Sequence, residues 1–304
     1  MTRTSVVVPC YNAAGTLPRC LESLLGQTIQ PAEVVVVDDC STDETQGVAA
    51  RFDVTVLTAP RKLHAGGARA AGFGASSGDL VAFVDSDMVL HPTLMERGLR
   101  QLEEDASLGA VGGAVEPPGS VNLCAWADYL MSFSAYFAGL EQSRRLFLPT
   151  NNMLVRRRLL ERVRFRESHG DEDTDLSFQL IDQGYGLLFS PGLRAVHLGW
   201  RGTLPELARV QRRYAVGFVS GRSRVPRTRR LLALPFVLFV PTFTALKMAQ
   251  IFRRTGADLR HLGMFLVVSP LIVWMLARRA SLIHALRTTR GAATAGSQLF
   301  TGGR

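Results

Sequence analysis

The amino-acid sequence predicts an α/β protein built on a doubly wound, largely parallel sheet, and three observations carry that expectation. Short apolar runs at Ser5 to Val8, Val34 to Val37, Val54 to Leu57 and Leu80 to Val84 alternate with helical stretches, the βαβα order of a parallel sheet. The strongest runs are unbroken, as strands buried on both faces read. Two of them end in acids: Val37 leads into Asp38 and Asp39, and Val84 into Asp85, Ser86 and Asp87. Ligands of such sheets bind in the crevice beyond the carboxyl ends of the strands, so acids there point to a site.

The elements follow in order. Strand Ser5 to Val8 passes through Pro9-Cys10-Tyr11-Asn12 to a helix near Leu17 to Gln27, whose Leu17, Leu21, Leu24 and Leu25 share one face. After Pro31 comes strand Val34 to Val37, then helix Thr42 to Arg51, strand Val54 to Leu57, helix Gly66 to Ser76 and strand Leu80 to Val84. Gly109 to Pro118 is rich in Gly and Pro around a short strand and separates a nucleotide-type half from a mixed half ending near Gly221. In the second half, Leu176, Leu180 and Ile181 mark an amphipathic helix, and Ala195 to Leu198 a strand.

With 304 residues and 47 % hydrophobic content, the chain can bury a full core plus an appendage. The net charge of +9 is unevenly placed: from Arg222 onward there are 14 Lys or Arg and one acid, Asp258, so the first 221 residues are mildly acidic. Two uncharged 16-residue runs, Leu231 to Leu246 and Leu262 to Ala277, sit in the basic part. A basic segment beside such runs fits anionic lipid and argues against nucleic acid. Each run makes a helix of about 24 Å, short for a bilayer core of about 30 Å, and Pro235, Pro241 and Pro270 would kink them. A spanning hairpin, in-plane amphipathic helices and a soluble helical pair all remain open. Arg residues flank the pair more densely than they fill its linker, which places the flanks in the cytoplasm. Cys10, Cys20, Cys40 and Cys124 show neither metal spacing nor a disulfide pattern and read as reduced. Met1 to Arg3 leaves no room for a signal peptide, so a cytoplasmic location is expected.

Asp85 and Asp87 offer hard oxygen donors for Mg²⁺ or Mn²⁺, or for a ribose diol; standing alone, the motif is equally a turn or helix cap. Asp38 and Asp39 face the same alternative, since Ser41 and Thr42 can cap the next helix. Tyr11 lies where a nucleobase can stack or where an aromatic simply packs. Asp171-Glu172-Asp173-Thr174-Asp175 puts four acids in five residues at a helix start, more than capping needs, and a carboxylate there can serve as general base. His197 is either a metal ligand or a structural imidazole. Arg209, Arg212 and Arg213 form a phosphate clamp or a solvated helix face.

In order and spacing, Ser5 to Asn12, Val37-Asp-Asp-Cys-Ser-Thr-Asp43, Asp85-Ser-Asp87 and Glu172-Asp-Thr-Asp-Leu176 resemble the GT-A fold glycosyltransferases of family 2 over about residues 4 to 220. The resemblance implies a GT-A domain at 1–221, with a nucleotide-binding half at 1–115 and an acceptor half at 116–221. A basic, hydrophobic, membrane-associated hairpin at 222–290 and a disordered tail at 291–304 would follow. It implies inverting, Mn²⁺- or Mg²⁺-dependent transfer of one sugar, of hexosyltransferase type, from a nucleotide diphosphate sugar, with UDP as first guess. The acceptor would be a hydroxyl, on a lipid-linked or envelope glycan, at the cytoplasmic face of the membrane. By that likeness Pro9, Tyr11, Asn12, Asp39, Arg69, Asp85 and Ser86 would bind the donor, with Tyr11 stacking on the base and Asp39 bonding it. Asp87 and His197 would hold the metal, and Asp173 would be the catalytic base. Asn151, Asn152, Glu172, Arg212 and Arg213 would meet acceptor or phosphate, although Asn151-Asn152 also reads as a turn. The Gln-x-x-Arg-Trp pattern of processive synthases is not matched, which favours single-sugar transfer. Two alternatives stand beside it: a sugar-phosphate nucleotidyltransferase, whose Gly- and Lys-rich phosphate loop is missing from Pro9 to Gly15, and an inactive membrane-bound sugar-nucleotide-binding protein.

Overall fold

In the computed structural model, described for residues 2–116, 135–167 and 172–203 and for scattered positions in 122–133 and 205–210, alternation along the first strands sorts their side chains between two cores. Val6, Val8, Val34, Val36, Leu80, Ala82 and Val84 face one layer, and Val7, Val35, Val37, Val81 and Phe83 the other. Strand β1 (Thr4–Cys10) is buried along its whole length. It lies between β2 (Glu33–Asp38) and β4 (Leu80–Val84), parallel to both. β3 (Thr55–Thr58) extends the parallel set beside β2.

Helix α1 (Leu17–Leu25) covers the first face with Leu17, Leu21 and Leu24, assisted by α2 (Thr45–Ala49) and α4 (Leu94–Glu104). Helix α3 (His64–Gly74), the short α5 (Arg157–Leu160) and α6 (Glu172–Asp182) cover the other through Ala68, Leu159, Leu160, Leu176 and Leu180. Each such buried Leu contributes on the order of 1.5–3 kcal/mol of transfer free energy.

Beyond β4 the sheet becomes mixed. β8 (Asn152–Arg156) is antiparallel to β4 and to β6 (Leu108–Glu116). The 12-residue β9 (Gly186–His197) runs parallel to β6, and its end pairs with β5 (Met88–Leu90). β7 (Ser143–Arg145) pairs with the start of β9. The nine-stranded order is β3-β2-β1-β4-β8-β6-β9-β5, with β7 on β9.

Four differences from the sequence expectation have local causes. Helix α2 starts at Thr45 rather than Thr42, because Asn12 Oδ1 accepts the Thr42 N–H at 2.8 Å and holds that residue in the preceding loop. Residue 152, expected in a turn or a pocket, opens β8, where it pairs with Val84. β9 begins at Gly186, well before Ala195, its polar positions Ser190 and Arg194 having masked it. β5, β7 and α4 were not anticipated.

Residues Met1–Trp200 form one compact unit and Arg201–Arg304 a second. In the second unit, Glu206 Oε2 accepts from the Thr203 hydroxyl at 2.8 Å, and the Glu206 N–H reaches back to that hydroxyl. The apolar runs 231–246 and 262–277, Arg212, Arg213 and the tail lie outside the described residues; among the described ones no helix is long and apolar enough to cross a membrane. Cys10, Cys20 and Cys40 are free thiols, as expected.

Between Gly113 and Ala114, β6 faces a three-residue excursion of β9, Pro191 to Leu193. A Cβ at Gly113 would stand 2.0 Å from the Leu193 carbonyl oxygen, so only glycine fits against that bulge. Gly113→Ala is expected to cost about 1–3 kcal/mol by forcing strand and bulge apart, read as a lower urea midpoint at unchanged slope.

Candidate active site

Four strand ends converge at one edge of the sheet. Cys10 leads into Tyr11 and Asn12, Asp38 into Asp39, and Val84 into Asp85, while β9 delivers His197 from the neighbouring part. The loops there are tied together. The Asp39 N–H donates to Cys10 O at 2.9 Å and the Ala59 N–H to Asp38 O at 2.8 Å. Asp38, fully buried, accepts from Gln46 Nε2 at 2.6 Å and from the Ser41 N–H, so it is a structural acid. Asn12, Cys40 and His64 all adopt positive φ, at 49°, 60° and 62°. Such backbone is unfavourable outside glycine and persists where the surroundings impose it, often at functional loops.

Asp39 is only 4 % exposed, and its carboxylate accepts the Leu63 N–H at 2.5 Å and the His64 N–H at 3.0 Å, at the start of α3. Lys62, which the sequence reading missed, donates to Asp39 O at 2.8 Å and stands 3.2 Å from Asp39 Oδ2. Its Nζ also lies over the ring of Tyr11, 2.8 Å from the centroid, although Tyr11 is half-exposed. A basic residue in the loop after a parallel strand was the available signal.

The β4–β5 turn and the start of α6 meet through Arg69 of α3. This guanidinium is buried, with Nη2 2.6 Å from Asp85 Oδ1 and Nη1 3.2 Å from Glu172 Oε1. Arg69, expected to face the nucleotide, bridges two acids that lie far apart in the chain. Burial raises the Asp85 pKa, with nearby Asp87 acting in the same sense and Arg69 opposing them. Asp173, partly open to solvent yet surrounded by protein, is pushed from 3.8 to about 7. Burial is the main cause and the Glu172 charge adds to it, while Arg69 pulls the other way.

Asp87 and His197 do meet, with Oδ2 and Nε2 3.2 Å apart. Pairing of Met88 with His197 sets their register, and the Leu198 N–H donates to Asp87 O at 2.8 Å. A Cβ on Gly199 would approach Asp87 Oδ2 to 2.1 Å, so a glycine leaves room for that carboxylate beside His197. The His197 ring is wedged between Trp200 at 4.4 Å and Phe133 at 5.3 Å, centroid to centroid. No cluster of three or more His, Cys, Asp or Glu suited to a metal occurs among the described residues. One carboxylate and one imidazole are nevertheless donors of the kind a divalent ion accepts.

The remaining expected residues divide. Pro9 is buried within β1 opposite Val37, and Ser86 lies in the turn before β5. Asn152 Oδ1 accepts the Gly113 N–H and its amide donates to Ala114 O, so this side chain is spent on β6. Asn151 differs. Its carbonyl accepts the Asp85 N–H at 3.2 Å, while its buried side-chain amide has no hydrogen-bond partner among the described residues. Thr150 Oγ1 is likewise buried without a partner and lines a pocket with Arg69, Glu172 and Asp175.

Residues 5–164 match the model of glycosyl transferase family 2. The chain belongs to that family. Glycosyltransferase AglE of Haloferax volcanii is 30 % identical over 205 residues, 64 % of this chain and 66 % of its own length. Succinoglycan biosynthesis protein ExoO of Rhizobium meliloti is 40 % identical over 100 residues, 32 % of this chain and 29 % of its own. The chain therefore spans less than two thirds of the length of these relatives. Mannosyltransferase PcManGT from Pyrobaculum calidifontis, solved in complex with GDP-Man and Mn²⁺, has the same fold. Its TM-score is 0.61 at 18 % identity, over 93 % of this chain and 86 % of that one. The mixed α/β sheet is thus that of GT-A glycosyltransferases, as expected from the motifs.

A native pKa raised to about 7 means that the folded chain holds the Asp173 proton while the unfolded chain has released it above pH 4. The stability contributed by that proton is fully present below pH 3.8 and is lost as pH rises through 7. Asp173→Asn is therefore expected to gain stability relative to the parent between pH 4 and 7 and to hold that gain above pH 8, in urea titrations across the range.

Proposed function

We propose that this protein is an inverting glycosyltransferase, moving one sugar from a nucleotide diphosphate sugar to a hydroxyl acceptor with Asp173 as general base. The observation that carries the proposal is the Asp85–Arg69–Glu172 bridge, which holds the acids of the β4–β5 turn against the acids opening α6. Asp87, two residues beyond Asp85, pairs with His197, and together they would hold Mn²⁺ or Mg²⁺. Next to Glu172 in the chain stands Asp173, with a pKa suited to a base working near neutrality. The metal would supply positive charge to the departing diphosphate.

The chemistry needs one displacement. Ionised Asp173 takes the acceptor hydroxyl proton; the freed oxygen bonds to the anomeric carbon as the bond from that carbon to the phosphate oxygen breaks, and the electron pair leaves with the diphosphate. Entry opposite to departure inverts the anomeric centre, and no enzyme nucleophile is required. Tyr11 and Asp39 would take the base, and Asp85 the ribose edge. The partnerless Asn151 amide would meet a sugar or acceptor hydroxyl, since a buried amide without a partner is costly until it is bonded. The donor complex named for PcManGT puts GDP-sugars beside UDP-sugars as candidates.

The test is release of nucleoside diphosphate from UDP-, GDP- and dTDP-sugars with Mn²⁺, in the presence of candidate acceptors. One donor should be turned over, with kcat/KM rising through an apparent pKa near 7. Asp173→Asn should lower kcat by about 10²–10⁴-fold, and Asp87→Ala should remove metal dependence along with activity. Release unaffected by Asp173→Asn would exclude it as the base.

The basic, apolar residues 222–290 support a lipid-linked acceptor and a site at the cytoplasmic face of a membrane. The full-length protein is expected to sediment with phosphatidylglycerol vesicles at low salt and less with phosphatidylcholine vesicles; equal recovery in the supernatant with both would remove the membrane from the proposal.

A further inference from the structure

We infer that Lys62 is a tethered occupant of the nucleobase subsite, which an incoming base must displace. The inference rests on the assignment of Tyr11 and Asp39 to the base made above. It goes beyond that assignment by placing a cation of the chain itself on both groups at once. The Lys62 ammonium lies over the Tyr11 ring, 2.8 Å from its centroid, and 3.2 Å from Asp39 Oδ2. A base stacking on that ring face and donating an N–H to that carboxylate needs the same two positions.

The anchoring of Asp39 makes the exchange feasible. Its carboxylate keeps the Leu63 and His64 N–H groups whether or not Lys62 is present, so the acid stays in place when the ammonium leaves. Lys62 itself is only partly covered, with a third of its side chain exposed, and its four-carbon stem lets the head swing into solvent at little cost. With no base present, the ammonium shields the aromatic face and satisfies the acid, contacts of a cation–π and a partly exposed ion pair. The nucleotide's affinity is then a difference: the base's own interactions less those that Lys62 gives up.

Uncharged nucleosides test this, because they lack the phosphates that a lysine would attract on its own account. Adenosine, cytidine, guanosine, thymidine and uridine would be titrated by ligand-observed NMR, at millimolar concentrations, into the full-length parent, Lys62→Ala and Tyr11→Ala proteins. Lys62→Ala is expected to bind at least one nucleoside about tenfold more tightly than the parent. Lys62→Gln, which keeps an N–H for the Asp39 carbonyl but no charge, should fall between them. Tyr11→Ala should weaken the same nucleoside. If Tyr11→Ala weakens binding while Lys62→Ala leaves it unchanged or weaker, the base assignment holds and the tethered-occupant inference is wrong. If Tyr11→Ala is without effect, or no nucleoside binds the parent or Lys62→Ala, the base assignment fails and the inference with it.

Discussion

One buried guanidinium organises the acidic end of this molecule. Arg69 enters from α3 and ties Asp85, at the end of a central strand, to Glu172, at the start of a helix in the other half of the sheet. Bringing several carboxyl groups this close without a cation would set like charges against one another in a partly dehydrated space, at a cost of several kcal/mol per ion. With Arg69 between them, Asp85 and Glu172 each have a cationic partner beside a third acid, Asp173, that holds its proton to near neutrality. Charge is thus shared unequally among neighbouring acids of similar chemistry, the condition under which one can act as a base while others bind cations or hydroxyls.

The end of the edge formed by β1 and β2 depends on backbone instead. Asp38 and Asp39 are adjacent in sequence but opposed in role: the first is enclosed by Ser41 and Gln46, the second reaches the start of α3. Three non-glycine residues at positive φ keep these loops in shape, each held by its neighbours rather than by its own preference. The paired acids seen in the sequence therefore resolve into one that holds its own loop and one that holds the start of α3 and Lys62.

How much of this was legible follows from the range of the forces involved. β1, β2 and β4 were readable because strands buried on both faces carry long unbroken apolar runs, and the acids ending β2 and following β4 marked the crevice before any coordinates. The pairing of Asp87 with His197 came from the family likeness, not from spacing. β8 was hidden because Asn151-Asn152 has the composition of a turn; what makes it a strand is pairing with β4 and β6, a tertiary fact. The different fates of the two asparagines follow from their alternating sides of the chain, which no local signal reports. Arg69 looked like a residue for the nucleotide, and only the approach of Glu172 reveals its structural bond. Lys62 carries no periodicity and escaped notice.

The bulge in β9 has a consequence for how this chain can vary in length. Pro191 to Leu193 loop away from β6 before the ladder resumes at Arg194, so the register of the last three residues is set by β5 and β6 and not by the distance from Gly186. Leu193 is fixed by its burial against Gly113, so a residue gained or lost is tolerated best at the less buried Pro191-Gly192, where the imidazole stays opposite Met88. A single residue inserted between Ala195 and His197 would turn that imidazole to the other face of the sheet, away from Asp87. Two neighbouring stretches of one strand thus differ sharply in the insertions and deletions they tolerate.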